Sequence, residues 1–203
     1  MRYRTHTNPY NYYVKMSPLH FDQIFSLPNQ PLDLEVGFGR GRFLRYWAET
    51  YPNRNIIGVE VRKNIAELLQ IRLNNLNLTD NTHVVHGNAE RLLEDSLKPA
   101  CLDNIFIFHP DPWFKKKHHK RRIVRNDVIK LFTHSLKSDG MLHVSTDVES
   151  LWESMQTAIL ASKSFKFISN HPLWEMDYTS HWHEYSIKSN RKRFCGSFRN
   201  IKS

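Results

Sequence analysis

The chain of 203 residues lacks the features that mark membrane, secreted and disulfide-bonded proteins. No uninterrupted apolar run is longer than four residues, as in Ile105–Phe108, so no segment is long enough to cross a bilayer. Residues 1–16 contain charges and tyrosines but no apolar stretch, which argues against a secretory signal. The two cysteines, Cys101 and Cys195, form neither a CxxC pair nor a metal-ligand spacing. These absences predict a cytoplasmic protein with reduced thiols and no metal site.

Acidic residues are absent from two segments, and this absence defines where the positive charge lies. The formal net charge is +9, from 29 basic and 20 acidic residues. Residues 115–125 contain seven Lys or Arg and residues 185–203 contain six, with no Asp or Glu in either segment. Outside them, 16 basic residues face 20 acidic ones. Two concentrated basic segments predict a polyanion bound at a defined place, whereas a single run is more often a solvated loop.

Apolar residues from position 31 onward alternate between strand-like and helix-like spacing. At least five alternations of strand and helix predict βαβ units and a mostly parallel sheet, and 166–169 and 193–198 are candidate closing strands. The expected fold is one α/β domain over residues 1–203, with a doubly wound, Rossmann-like, seven-stranded sheet. Residues 1–30 form an irregular extension, and residues 170–203 form a substrate-binding segment with the last strand. The other predicted strands are 32–36, 55–61, 82–87, 103–108 and 140–146, and the predicted helices are 43–52, 63–76, 89–97, 126–137 and 149–162.

Only seven glycines are present, but Gly37, Gly39 and Gly41 cluster directly after the first predicted strand. Glycines there let a ligand approach the backbone, and doubly wound sheets bind ligands at the carboxyl ends of their strands. Arg42 takes the place of the third glycine in a dinucleotide fingerprint, and Glu35 precedes the loop, so a dehydrogenase is disfavoured. A phosphate-free cation fits this acid better, and S-adenosylmethionine carries a sulfonium and an ammonium group.

Polar side chains also follow the next two predicted strands. Glu60 ends the second strand, where a carboxylate can accept hydrogen bonds from both hydroxyls of a ribose. Asn88 follows the third strand, where its amide could pair with the edge of an adenine ring. Either residue alone is more often a solvated strand-end group. Polar groups at the ends of three successive strands favour a cofactor site.

The fourth predicted strand leads directly into HPDPWFKKKHHKRR, residues 109–122. Pro110 and Pro112 restrict the backbone around Asp111, so we expect its carboxylate to be fixed at the mouth of the site. Trp113 offers a flat face on which a nucleobase could stack, and the basic run follows it. The alternative is a helix-capping Asp and a buried Trp followed by a solvated loop.

These segments together resemble the tRNA (guanine-N7)-methyltransferase family, the bacterial type that methylates guanine 46 in the variable loop of tRNA. The matches LEVGFGRGRFL, GVEV, GNAE, PDPWxKKxHHKRR and GxLHxSTD occur in order and spacing over roughly residues 30–150. The resemblance implies a class I S-adenosylmethionine-dependent methyltransferase with tRNA as its partner. Because the chain has its own two basic segments, we expect it to act without an obligatory second subunit. It implies a cofactor site at Glu35, Glu60, Asn88 and Asp111, with Asp111 also catalytic. It further implies tRNA contacts at Lys115, Lys117, His118, His119, Lys120, Arg121, Arg122 and Asp147.

The family's substrate motif Thr-x-Phe/Tyr-Glu has only an approximate match in the C-terminal segment. Ser180, His181, Trp182 and His183 occupy it, and Glu184 follows one place late. The resemblance implies that these residues contact the substrate and that the role of the family glutamate passes to Glu184.

Two other functions remain compatible with the sequence. The PDPW segment is loosely similar to the D/N-P-P-W/Y motifs that bind an exocyclic amine of adenine or cytosine, so the methylated atom could differ. A module that binds RNA and keeps S-adenosylmethionine only as a structural ligand is the second alternative. Oligomeric state is left open between monomer and homodimer.

Overall fold

The computed structural model describes residues 7–176, 178 and 181–202, and for residues 181–183 it describes the backbone alone. Seven strands alternate with seven helices in the described part of the chain. The strands are β1 Leu32–Val36, β2 Asn55–Glu60, β3 Thr82–His86, β4 Leu102–Phe108, β5 Leu136–Thr146, β6 Phe165–Ile168 and β7 Phe194–Asn200. The helices are α1 Phe21–Ile24, α2 Arg42–Thr50, α3 Lys63–Asn75, α4 Ala89–Arg91, α5 Asn126–Ser135, α6 Glu149–Ala161 and α7 His181–Lys188.

The strands form one sheet in the order β3-β2-β1-β4-β5-β7-β6. β1 to β5 pair in parallel, and β7 runs antiparallel between β5 and β6. The strand order reverses between β1 and β4, so a crevice opens at the carboxyl ends of these two strands. The predicted doubly wound, mostly parallel, seven-stranded sheet is confirmed.

Helices cover both faces of the sheet, which explains the continuous apolar character of its central strand. Ile105, Phe106 and Ile107 of β4 are completely buried. Phe43 of α2 packs in the core on one face, and Phe132 of α5 packs in the core on the other. The two cores hold the strands rigidly, so the side chains at the strand ends have fixed positions.

Several boundaries differ from the sequence expectation. β5 begins four residues early, at Leu136, and its register with β4 shifts between Leu102 and Asn104. The helix expected over 89–97 is α-helical only in its first turn and continues as a π-helix over Leu92–Ser96. Within the described ranges, no helix has the length and apolar character needed to cross a bilayer.

Candidate functional site

A cavity of about 420 Å³ lies at the carboxyl ends of β1, β2, β3 and β4, and its volume is typical of small-molecule sites. The structure therefore brings the predicted cofactor residues to one place. Those that line the cavity are Glu35, Gly37, Gly39, Glu60, Asn88 and Asp111.

Each of the three glycines in the loop between β1 and α2 occupies a position that favours glycine. Gly37, Gly39 and Gly41 all have positive φ, at 70°, 55° and 66°. A side chain at Gly37 or Gly39 would meet no protein atom within 4 Å, so that space is available to a ligand. A side chain at Gly41 would instead collide with Leu69, so this glycine allows α2 and α3 to pack closely.

Glu35 is a buried acid with an incomplete set of hydrogen bonds. Only 4% of the residue is exposed, and its Oε2 atom has no hydrogen-bond partner in the protein. Burial raises the pKa of the Glu35 carboxyl to about 8; a hydrogen bond with the Leu44 backbone opposes this shift, and Glu60 adds to it. A cation in the cavity would supply the missing partner and stabilise the ionised carboxylate.

The unpaired Oε2 atom of Glu35 shows that the cavity fits a cationic ligand such as S-adenosylmethionine. Its ammonium group would provide the positive donor that Glu35 Oε2 lacks. The open side of the glycine loop provides room for backbone contact without a clash. When bound, S-adenosylmethionine supplies a methyl group on a positively charged sulfur, which suits a cavity lined by acids.

We expect binding of S-adenosylmethionine to release a proton from Glu35. Below about pH 8 the free carboxyl is largely neutral, and the bound cation favours its ionised form, so affinity should rise with pH. Between about pH 5.5 and 7, below the pKa of the ligand's own amino group, release of one proton should lower the Kd about 30-fold. Calorimetry in buffers of different ionisation enthalpy measures both effects. Glu35→Gln is the matched control and should remove the pH dependence, whereas an equal pH dependence in this variant would contradict the assignment.

Glu60 has a competing partner that the sequence did not reveal. Arg62 Nε donates to Glu60 Oε1 at 3.0 Å, and Arg62 Nη2 donates to Oε2 at 2.8 Å. The Gly39 amide donates to the same Oε2 at 3.1 Å. Because Glu60 is only 4% exposed, a ribose must take the place of the Arg62 side chain to reach both carboxylate oxygens. The signal for this pair is present in the sequence, since Arg62 follows Glu60 by two residues.

Opposite effects are expected from substitutions in this pair. Glu60→Ala should weaken S-adenosylmethionine binding by about 1.5–3 kcal/mol, the usual loss for a hydrogen bond to a charged group. Arg62→Ala should tighten binding several-fold, because the ribose no longer competes with the guanidinium. Calorimetry of the two variants checks this, with Arg45→Ala on the exposed face of α2 as control. Weaker binding by the Arg62 variant would mean that Arg62 holds the cofactor instead.

Asn88 lines the cavity, and its amide already has partners within the protein, so the pairing with adenine stays a prediction. Its Oδ1 accepts hydrogen bonds from the amides of Glu90 at 2.8 Å and Arg91 at 3.2 Å, as the N-cap of α4. Its Nδ2 donates to the Pro9 carbonyl at 3.2 Å. The side chain is therefore committed to the backbone, and Asn88 shapes the cavity by fixing the β3–α4 turn.

The extension before β1 takes part in the site, although the sequence predicted only an irregular segment. Thr7 and Pro9 line the cavity, and the Tyr10 hydroxyl donates to the Lys120 carbonyl at 2.6 Å. The extension thus connects the turn at Asn88 with the basic run at residues 115–125.

Asp111 lies where the sequence predicts it, at the mouth of the cavity just beyond β4. It is half-buried between Pro110 and Pro112. The charge of Asp111 acts on Arg62 and contributes to the raised pKa of that guanidinium, after the larger effect of the Glu60 hydrogen bonds. A carboxylate fixed here can meet positive charge that develops at the open side of the cofactor cavity.

Trp113 lines the cofactor cavity but is largely covered by other side chains, so base stacking on its ring stays a prediction. The residue is 7% exposed and has a φ of 44°. The Arg121 guanidinium lies 4.9 Å from its ring centroid, and His118 packs edge-on against it. Arg121 and His118, both predicted RNA contacts, are therefore part of the packing that shapes the basic turn Lys116–Arg121.

The basic run divides into internal arginines and exposed lysines. Arg122 donates to the Pro112 carbonyl at 2.9 Å and to the Ser154 hydroxyl at 3.2 Å, so its guanidinium is already engaged within the protein, and its RNA contact stays a prediction. Arg125 forms two hydrogen bonds to Glu90, at 2.9 and 2.6 Å. The lysines Lys115, Lys116, Lys117 and Lys120 are exposed.

The histidines of this run do not form a metal site in the described residues. His119 is half-buried, and its Nε2 has no hydrogen-bond partner. Within residues 7–176, 178 and 181–202, no three His, Cys, Asp or Glu side chains are grouped so that they could hold a metal ion.

Asp147 is also engaged within the protein, and its contact with the substrate stays a prediction. Its side chain is completely buried and accepts hydrogen bonds from Arg191 at 3.0 Å and from Ser186 at 3.1 Å. His109 Nδ1 lies 3.5 Å from the other carboxylate oxygen. Asp147 thus ties the C-terminal segment to the end of β5.

The predicted substrate motif lies mostly beyond what the structure describes. Ser180 is outside the described residues, as are the side chains of His181, Trp182 and His183. Glu184 pairs with Arg42 at 2.8 Å, which connects α7 with the start of α2.

Tyr178 is a cavity residue that the sequence reasoning missed. It lines the cofactor cavity and packs on Phe43 and Tyr46. Burial, and next the charge of Glu35, raise the pKa of its phenol, so it is neutral at physiological pH. Its place in an aromatic-rich stretch between two strands was the available signal.

Comparison with known sequences gives a consistent result. A family model described as a putative methyltransferase matches residues 29–194. The tRNA (guanine-N(7)-)-methyltransferase of Nostoc sp. (strain PCC 7120) is 35% identical over 172 residues, which cover 82% of this chain and 78% of the relative. The enzyme of the same name from Prochlorococcus marinus (strain MIT 9515) is 32% identical over 168 residues, 80% of each chain.

Solved structures resemble the chain at lower identity. One described as an antibiotic-related methyltransferase is 18% identical with a TM-score of 0.57, covering 92% of this chain and 95% of that chain. The aminoglycoside resistance methyltransferase NpmB1 is 16% identical with a TM-score of 0.56, covering 84% and 87%. These structures support the predicted class I methyltransferase fold. The family model and the sequence relatives show that the chain belongs to the S-adenosylmethionine-dependent tRNA (guanine-N7)-methyltransferase family.

Proposed function

We propose that the protein transfers a methyl group from S-adenosylmethionine to N7 of guanine in tRNA, at position 46 of the variable loop. The observation that carries the proposal is the single cavity that combines the orphan oxygen of Glu35 with the proline-flanked Asp111, in a chain of this family. The exposed lysines of residues 115–120 adjoin this cavity through Arg121 and suit an RNA backbone. The reaction takes place in the cytoplasm, where the RNA substrate resides.

The reaction does not require the protein to remove a proton from the guanine before methyl transfer. Guanine N7 has an in-plane lone pair and no proton, so no base needs to remove one before methyl transfer. The protein contributes proximity, alignment and electrostatic stabilisation of the cationic product. Asp111 is suited to this role because it is fixed and charged at the mouth of the cavity.

The decisive experiment is incubation of the protein with an unmodified tRNA transcript and methyl-labelled S-adenosylmethionine, followed by reduction and aniline scission. We expect stoichiometric label and a single cleavage at position 46, because only 7-methylguanosine becomes labile in this way. A transcript with adenine at position 46 is the control and should take up no label.

The same experiment separates the alternatives. Incorporated label without scission would indicate methylation of an exocyclic amine. Binding of tRNA without label would indicate a module that retains the cofactor as a structural ligand. We further propose that the protein acts as a monomer or homodimer without a partner subunit, since it carries its own basic segments; sedimentation of the active protein with tRNA tests this.

A further inference from the structure

A line of hydrogen bonds crosses four neighbouring strands of the sheet and ends at an indole. Its members are Asp33 in β1, Asn104 in β4, His143 in β5, Ser197 in β7 and Trp174 in the turn Pro172–Glu175. The successive distances are 2.7 Å from Asn104 Nδ2 to Asp33 Oδ1, 3.1 Å from His143 Nε2 to Asn104 Oδ1, 2.8 Å from Ser197 Oγ to His143 Nδ1, and 3.0 Å from Trp174 Nε1 to Ser197 Oγ.

Asp33, the acceptor end of this line of hydrogen bonds, has a fixed position. Asp33 is completely buried and accepts two further hydrogen bonds from Arg54, at 2.8 and 2.7 Å, and one from Trp47 at 2.8 Å. The carboxylate can only accept, so Asn104 must present its Nδ2 to Asp33 and its Oδ1 to His143.

The direction of the remaining bonds follows from this end. His143 donates from Nε2, so its neutral ring accepts at Nδ1 from the Ser197 hydroxyl. Ser197 in turn accepts from the Trp174 indole, which is a donor only. Burial lowers the pKa of His143 well below its usual value, and His171 adds to this effect, so the neutral ring persists at physiological pH. Every donor in the chain therefore has one acceptor, and no member can reverse without leaving a buried group unpaired.

The donor end of the chain faces the substrate side of the site. Trp174 lines a small cavity of about 30 Å³ at the ends of β4 and β5. This small cavity shares Phe43, Phe108, His109 and Tyr178 with the cofactor cavity. The cofactor cavity is lined from the ends of β1 to β4, and the small cavity adjoins it on the side of β5. We therefore assign this side, past Phe108 and Trp174, as the approach of a base to the methyl group.

We infer that His143 and Ser197 are positioning residues, which hold the Trp174 indole as a fixed wall against the incoming base. The inference rests on the proposed function. Neither residue reaches the cavity, since His143 is 1% exposed and Ser197 is completely buried. Their effect passes through Trp174, which packs edge-on against Phe108 with ring centroids 5.9 Å apart. Loss of these hydrogen bonds leaves the Trp174 indole in place but allows it more than one orientation.

Ser197→Ala interrupts the line of hydrogen bonds with the smallest change in side-chain volume. We expect the single-turnover rate of tRNA methylation at saturating cofactor and tRNA to fall about 10-fold, since a misplacement of about 1 Å can cost 100-fold. The Kd of S-adenosylmethionine should stay within about twofold of wild type. Ser135→Ala is the matched control, because Ser135 is 1% exposed and its hydroxyl has no hydrogen-bond partner.

A second variant separates positioning from general stability. Trp174→Phe keeps an aromatic ring but lacks the donor, so it should lower the rate by a similar factor. The double variant Ser197→Ala, Trp174→Phe should be no slower than the slower single variant, because both remove the same link. Additive losses would overturn the inference.

The indole itself provides a readout that does not depend on activity. The chain has five tryptophans, and the Trp174 indole resonance in a 15N spectrum is identified by its loss in Trp174→Phe. In Ser197→Ala this resonance should shift or broaden, whereas in Ser135→Ala it should stay in place. An unmoved resonance, or a methylation rate equal to the control, would overturn the inference while wild-type activity stands. Absence of tRNA methylation by the wild-type protein would instead overturn the proposed function.

Discussion

Replacement of Asp111 by asparagine is expected to lower the single-turnover rate of tRNA methylation about 100-fold or more. The substitution keeps the shape and one acceptor oxygen but removes the charge. The guanine becomes cationic as the methyl group arrives, and a fixed carboxylate stabilises that charge without reorganisation. Losses of this size are usual when one preorganised electrostatic group is removed.

The position of Asp111 supports a role in the methyl-transfer step more than in the binding of tRNA. Asp111 lies between Pro110 and Pro112 at the mouth of the cavity, half-buried and next to the buried acids of the cofactor site. The prolines limit the backbone of this turn, so Asp111 keeps its position at the mouth of the cavity. The Kd of tRNA should therefore change much less than the rate.

A matched control is available at the other end of the sheet. Asp139 is exposed in β5, and its φ of 63° is one that asparagine tolerates. Asp139→Asn should methylate at the wild-type rate. If the Asp111 variant also stays within a few-fold of wild type at saturating cofactor and tRNA, Asp111 is a turn residue and the catalytic assignment is wrong.

The sequence predicts where the site lies because local patterns and topology suffice for that. Strand periodicity places Glu35, Glu60 and Asp111 at the carboxyl ends of three strands. In a doubly wound sheet these ends converge, so a common cavity follows from the element order alone. The glycine loop could be predicted for the same reason, since glycine permits the positive φ angles that Gly37, Gly39 and Gly41 adopt.

The partners of these side chains could not be read in the same way, because distant parts of the chain supply them. The amide of Asn88 meets Pro9, which is 79 residues away in sequence. Asp147 meets Arg191, which is 44 residues away. A periodic pattern reports which face a residue occupies but not which remote donor reaches it. The sequence therefore predicts ligand contacts for both residues but not the partners that they have within the protein.

In the basic run, residues 115–125, the sequence likewise does not show which side chains have partners within the protein. Arginine and lysine count equally in a charge total, but Arg122 and Arg125 are bound to the protein itself. The planar guanidinium favours such internal hydrogen bonds, whereas the lysine ammonium stays hydrated. The consequence is that the exposed lysines carry the expected RNA affinity.

Removal of these lysines is expected to weaken tRNA binding about 100-fold at physiological salt. The variant replaces Lys115, Lys116, Lys117 and Lys120 with glutamine. Each lost phosphate contact should reduce the slope of log affinity against log salt by roughly 0.7–0.9. Four contacts therefore change the slope by about 3, which measurements between about 50 and 200 mM salt resolve. The Kd of S-adenosylmethionine should be unchanged, because none of the four side chains lines the cofactor cavity.

The control variant removes the same charge from the opposite edge of the sheet. Lys98, Lys137, Lys163 and Lys166 are exposed near the amino ends of β4, β5 and β6. Their replacement with glutamine leaves the protein with the same net charge as the test variant. A general attraction of a basic protein for RNA would weaken equally in both variants. A specific contact would weaken in the first alone, since screening limits the reach of a surface charge to about 8 Å at physiological salt. Equal salt slopes in the two variants would therefore mean that the turn at Lys116–Arg121 is a solvated loop, and that the RNA is held elsewhere.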